Sequence, residues 1–190
     1  MEFSSILGML LAAAVLVYAI VLYNNLVMLK HSVSKAFSNI DVLLKQRHDE
    51  LPKLVEVCRQ YMRHEQETLE KVVRARSAVF AARENGNIPQ LGAAETMLRQ
   101  GLGNLFALAE SYPDLKADQN FRHLQDRITA LENAIADRRE FYNDTVNANN
   151  TRIEQFPDLV IARTLNFRHR DLLEFADDEK RDVDMKSLFS

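Results

Sequence analysis

The chain has 190 residues, 47% of them hydrophobic and 27% charged, with five glycines, four prolines and no tryptophan. That balance excludes a disordered or collagen-like chain and favours helices over an all-β fold. The formal net charge of −3, with both signs mixed, leaves no basic footprint for nucleic acid, and a single cysteine, Cys58, excludes an intrachain disulfide.

The first element is the run ILGMLLAAAVLVYAIVLYNNLVMLK, residues 6–30, which carries no charge before Lys30. As a helix over 6–29 it exceeds the ~30 Å hydrocarbon layer of a bilayer. A secretory signal would have a basic flank and a shorter core, whereas here only Glu2 among the charged residues precedes the run. A core helix would need apolar surroundings that the charge-rich remainder does not offer. The spacing therefore predicts a single-pass transmembrane anchor after a short segment, 1–5. Lys30 and Lys35 follow the span and no Lys or Arg precedes it, which predicts a cytoplasmic location for the bulk of the chain. Ser4, Gly8 and Ala12 fall four apart on one face, a small-residue series that lets spans approach one another, so a homo-oligomer is expected in the lipid bilayer.

Beyond the span, Leu26, Leu29, Val33, Phe37, Ile40 and Leu44 continue at three- and four-residue steps as a stalk stripe, facing either the chain's own bundle or a neighbouring subunit. ENGNIP (84–89) and SYPDLKAD (111–118) read as loops, and RHDELP (47–52) as a turn or a kink at Pro52. Helices are expected at about 24–47, 49–83, 89–111 and 118–156, the last with Asp118 as N-cap. Stripes of Leu54, Cys58, Tyr61, Leu69, Val72 and Val79, and of Phe121, Leu124, Ile128, Leu131, Ile135, Tyr142, Val146 and Ile153, each require a partner. The predicted fold is all-α: the N-terminal transmembrane helix continues into an antiparallel helical bundle of three to four long helices over 30–167. Residues 168–190 read as a charged, mobile tail, with Leu188 and Phe189 as docking points.

No catalytic, cofactor or metal set emerges. His64-Glu65 lacks the second histidine of a zinc helix, since residue 68 is threonine, and no histidine follows a glutamate by three as carboxylate-bridged di-iron bundles require. Cys58 on an apolar stripe reads as a small core residue rather than a nucleophile. GLG (101–103) lacks the lysine and strand of a phosphate loop and reads as close helix packing. The sequons at Asn143 and Asn149 lie on a predicted long helix and are read as chance. Polar residues inside the stripes are more informative. Glu65, Arg76 and Arg139 occupy stripe positions, and Glu65 and Arg139 read either as charges snorkelling to the rim or as a buried pair fixing helix register.

The blocks YNNLV (23–27), FSNIDVLLKQRHDELPKLVE (37–56), HEQETLEKVVRAR (64–76), YPDLKA (112–117) and ENAIADRREFYNDTVNANNTRIEQFP (132–157) resemble, in order and spacing, the LemA family. The resemblance implies a bacterial inner-membrane protein with one N-terminal span and a helical bundle, in a family with no established enzymatic reaction. Phe37 stands where that family usually has tryptophan, His31 where asparagine is common, and Asn149 where tyrosine is common, which puts the packing around Asn149 in question. Tyr142 joins it as a polar bundle position. The expected function is a non-enzymatic, self-associating membrane scaffold, with an envelope protein as a further partner. The alternatives are an adaptor or regulator of a membrane protease or signalling system, or an enzyme with an unrecognised site.

Overall fold

A computed structural model describes residues 2–175. Among them lie six helices and no strand: α1 Glu2–Tyr61, α2 Gln66–Glu84, α3 Ile88–Ala109, α4 Pro113–Ala117, α5 Gln119–Glu154 and α6 Asp158–Thr164. The all-α fold with a long apolar N-terminal helix agrees with the sequence reading.

Two boundaries differ from expectation. Of the two readings of Pro52, the turn is absent, because α1 runs through it to Tyr61. Proline offers no N–H to the carbonyl four residues back, that of His48. Arg76 of α2 takes that carbonyl instead, donating from Nε at 3.0 Å. The chain turns at 62–65, where the Met62 carbonyl accepts from the Glu65 N–H at 3.1 Å. No glycine or proline marks this turn.

The α2–α3 connection follows its residue types. Gly86 adopts φ 62°, a left-handed conformation that costs glycine little. The Gly86 N–H then reaches the Arg83 carbonyl and the Asn87 N–H reaches that of Ala82, closing α2 in a Schellman arrangement. Asn87 also opens α3, its Oδ1 accepting from the Gln90 N–H at 3.0 Å. Asp118 caps α5, accepting from the Asn120 and Phe121 N–H groups at 2.8 and 3.0 Å.

The described residues form two compact units, each containing part of α1 and part of α5. One takes the chain through Asn39 together with Glu140–Asp171, and the other takes Ile40–Arg139 with the segment from Leu172 on. The second unit holds the larger core: Leu44, Leu51 and Leu54 of α1, Leu69 and Val72 of α2, Leu91, Leu98 and Leu105 of α3, and Phe121 and Ile128 of α5 are all buried. Its register is written in side-chain bonds. Arg83 with Asp41 and Arg76 with His48 set α2 antiparallel to α1, while Tyr61 with Asp118 and Glu50 with Arg127 set α5 antiparallel to α1.

In the first unit α6 is followed by Asn166, whose φ of 58° asparagine tolerates better than most residues. The Phe167 N–H bonds to the Ala162 carbonyl at 2.9 Å, and Phe167 packs on the cluster of Leu26, Ile153 and Ala162. Of the stalk stripe, Leu26 and Val33 in this unit, and Ile40 and Leu44 in the other, are buried by the chain itself. That resolves the choice between own bundle and neighbouring subunit for those positions.

The tail reading needs correction over 168–175. Leu173 and Phe175 are buried, and Gly92 admits the Glu174 backbone where a Cβ would collide with its carbonyl oxygen. Leu188 and Phe189 lie outside the described residues.

Candidate functional site

The exposure of α1 changes abruptly at Leu22. Across residues 3–21 the side chains are exposed, save a half-buried Ala19, although nearly all are apolar. This stretch rises roughly 28 Å at ~1.5 Å per residue, close to the hydrocarbon thickness of a bilayer. It is long and apolar enough to cross a membrane. Ser4, Gly8 and Ala12 all lie in it, and a Cβ on Gly8 would meet nothing within 4 Å.

Where the exposed run stops, a cavity of about 560 Å³ opens in the first unit. Tyr23, Val27, Lys30 and His31 of α1, Asn149 of α5 and residues 165–170 line it. The Tyr23 and Phe167 rings meet edge to face at 6.2 Å. The 168–170 segment is held by Asn150, whose amide donates to the Arg170 carbonyl and accepts from the Arg170 N–H, both at 2.9 Å. Arg168 Nε donates to Asn166 Oδ1 at 3.2 Å, and His169 Nε2 lies 3.1 Å from a Glu154 oxygen. Asn149, whose surroundings the sequence put in question, is buried and donates to Asn150 Oδ1 at 3.1 Å. The Tyr142 hydroxyl donates to the Asp171 carbonyl at 2.9 Å, and its ring tilts against Phe37. Burial first, and the Asp171 charge second, raise that phenol above its ordinary range.

In the second unit the Glu65–Arg139 pair, one of the two readings of these charges, is not formed. Glu65 lies in the turn before α2, where the Tyr112 hydroxyl donates to it at 3.1 Å, and Arg139 lies over the Phe175 ring at 3.8 Å. Residue 139 is about 30 Å along α5 from the cap beside that turn. A single helix over 49–83 would have kept Glu65 on a helical stripe, whereas α1 ends at Tyr61 and α2 begins at Gln66. A register-fixing charge pair does exist, between other residues: Arg47, 1% exposed, bonds both Glu95, 0% exposed, and Glu132. Arg99 Nε stands 3.6 Å from the other Glu132 oxygen. Burial acts to lower the Arg47 guanidinium, but the two carboxylates outweigh it and raise it. Burial holds Glu95 above the usual carboxylate range, against the pull of Arg47. Arg47 Nε and Glu95 Oε2 have no hydrogen-bond partner. The signal lay in the spacing: Arg47 falls between Leu44 and Leu51, and Glu95 between Leu91 and Leu98, each on its helix's apolar stripe.

Arg76, the remaining stripe charge, meets His48. Besides the His48 carbonyl, its Nη2 lies 2.7 Å from His48 Nε2, so that nitrogen accepts. Burial first, and the Arg76 charge second, lower the imidazole below its ordinary range. Cys58 is fully buried and its thiol is pushed up to about 12 by burial. Among the described residues no group of three His, Cys, Asp or Glu side chains could hold a metal ion.

Three curated relatives are similar along most of the chain. Magnetosome protein MamQ 2 of Paramagnetospirillum magneticum is 21% identical, covering 89% of this chain and 71% of its own length. Protein LemA of Metamycoplasma hominis is 26% identical, covering 87% and 74% respectively. Magnetosome protein MamQ of Magnetospirillum gryphiswaldense is 23% identical, covering 77% and 62%. The profile of the LemA family matches residues 36–186, beginning past the exposed apolar run and taking in α2 to α6 whole. By that match over most of its length, the chain belongs to the LemA family.

Proposed function

We propose that the chain is a membrane-anchored, non-enzymatic helical scaffold that associates with itself at a bacterial inner membrane, with most of its mass in the cytoplasm. One observation carries the reading: apolar side chains along residues 3–21 of α1 stand exposed, and burial of one face begins at Leu22. Exposed apolar surface on that scale is stable in lipid and not in water. The Ser4, Gly8 and Ala12 face, open at Gly8, supports close approach of a second span. Lys30 and Lys35 support the cytoplasmic placement. Against catalysis stand the burial of Cys58, which keeps its thiol protonated, and the enclosure of Arg47 and Glu95, which leaves a substrate no approach.

The test compares the intact protein with a form lacking residues 1–23, by particle size in detergent and by alkaline carbonate extraction from membranes. A carbonate-resistant, oligomeric intact chain beside a smaller truncated one is expected. A monomeric intact chain would end the self-association reading, and release by carbonate would end the anchor.

A further inference from the structure

The cavity of the first unit combines features that a free anion would not need. Its walls carry Lys30, His31, Arg168, His169 and Arg170, and none of its lining residues is acidic. Glu154 is engaged with His169, and Asp171 follows Arg170 in sequence. Tyr23 follows the exposed apolar run by two residues and Lys30 by nine, or roughly 3 and 13 Å along the helix axis. Helical side chains lean toward the N-terminus, which here is the apolar end, and Lys30 and Tyr23 line the same cavity.

α6 and its flanks also carry exposed apolar side chains. Ala162 is buried on Leu26, while Phe156, Val160 and Leu165 are 82%, 57% and 52% exposed. Leu165 belongs both to this apolar surface and to the cavity lining. Cationic side chains in a recess that also holds Val27 and Leu165, and whose Tyr23 lies two residues past the exposed apolar run, fit an amphiphile whose head is an anion.

We propose that this cavity binds the phosphate headgroup of an anionic phospholipid from the adjoining leaflet, with Lys30, Arg168 and Arg170 facing the phosphate and Phe156, Val160 and Leu165 resting on the first acyl carbons. The proposal rests on α1 being the membrane anchor. The exposed apolar run that ends at the cavity selects a lipid over inorganic phosphate, and the net positive wall selects an anionic lipid over a zwitterionic one. Each Lys or Arg near an anionic surface strengthens binding by about fivefold, so removing three should cost well over tenfold.

The experiment uses the full chain in neutral detergent, titrated separately with phosphatidylglycerol, phosphatidylcholine and inorganic phosphate, with bound lipid counted per chain by native mass spectrometry. Phosphatidylglycerol should be retained at least tenfold better than phosphatidylcholine. The preference should vanish in Lys30→Gln/Arg168→Gln/Arg170→Gln and persist in Lys30→Arg/Arg170→Lys. Equal retention of both lipids by the unaltered chain, an unchanged preference in the triple variant, or inorganic phosphate binding as tightly as phosphatidylglycerol would overturn the proposal. Carbonate extraction separates the two levels. A chain that stays in the membrane but shows no lipid preference refutes the lipid site alone, whereas a released chain refutes the anchor and the lipid site together.

Discussion

Arg76 supplies the hydrogen bond that Pro52 withholds from His48: its Nε donates at 3.0 Å to the carbonyl that an ordinary residue at position 52 would have bonded. A donor on a neighbouring helix thus keeps α1 continuous through a residue that usually ends or kinks a helix. Arg76→Leu should cost about 1–3 kcal/mol, the penalty of a part-buried carbonyl left without a partner. In a Pro52→Ala background, where the backbone N–H at 52 is restored, the same substitution should cost measurably less. Thermal unfolding of the four proteins in detergent checks this, and simple additivity would contradict it.

Removing Arg47 alone, as Arg47→Met, strands Glu95 in the core and should cost about 3–5 kcal/mol. Arg47→Met/Glu95→Leu should recover most of that, because an apolar pair of similar volume needs no counter-charge. Denaturant titration of single and double variants decides it. A double variant as damaged as the sum of the singles would mean that the charges do not act as a pair.

Gly92→Ala puts a methyl group where the Glu174 carbonyl lies. The segment from Leu172 on should lift off its unit, releasing Leu173 and Phe175 and taking the Phe175 ring away from Arg139 and Arg99. Overpacking of this kind costs about 1–3 kcal/mol. Hydrogen exchange should rise sharply at 172–175 and little in the middle of α2. An unchanged exchange pattern would show that the segment docks without the glycine.

Cys58 sets an alkaline limit. Its folded value of about 12 lies above the ordinary thiol value near 9, so the folded state favours the protonated thiol. The associated stability is complete below about pH 9 and is lost as pH climbs toward 12. At pH 8 only roughly one thiol in 10,000 is ionised. Reaction with a disulfide reagent at pH 8 should therefore be negligible until denaturant opens the core, and Cys58→Ala should flatten the alkaline decline. Rapid labelling of the folded protein would contradict the buried placement.

On the proposed self-association, Gly8→Leu should reduce particle size in detergent while leaving the far-ultraviolet circular dichroism unchanged, because a Cβ at this position meets nothing within 4 Å. An unchanged particle size would move assembly to other surfaces.

The elements most legible in the sequence were those whose own residues specify them. Asp118 and the Gly86-Asn87 pair are local signals, and the ends of α3 and α5 fell within two residues of expectation. Pro52 misled because the donor that rescues its helix sits 24 residues away on α2, beyond any local pattern. The turn at 62–65 was invisible because it contains no turn-forming residue type. Arg47 and Glu95 were legible in spacing but hidden by a habit of reading charge as surface. The cavity was hidden for another reason, since its two walls lie more than a hundred residues apart in the chain.

Asn87 completes the closure of α2 with its backbone N–H and opens α3 with its side chain. No residue of that hairpin is a pure spacer, so its length cannot change without leaving one helix end uncapped. Insertions and epitope tags placed there would loosen two helices at once, which makes this short exposed loop a worse site for a probe than its accessibility suggests.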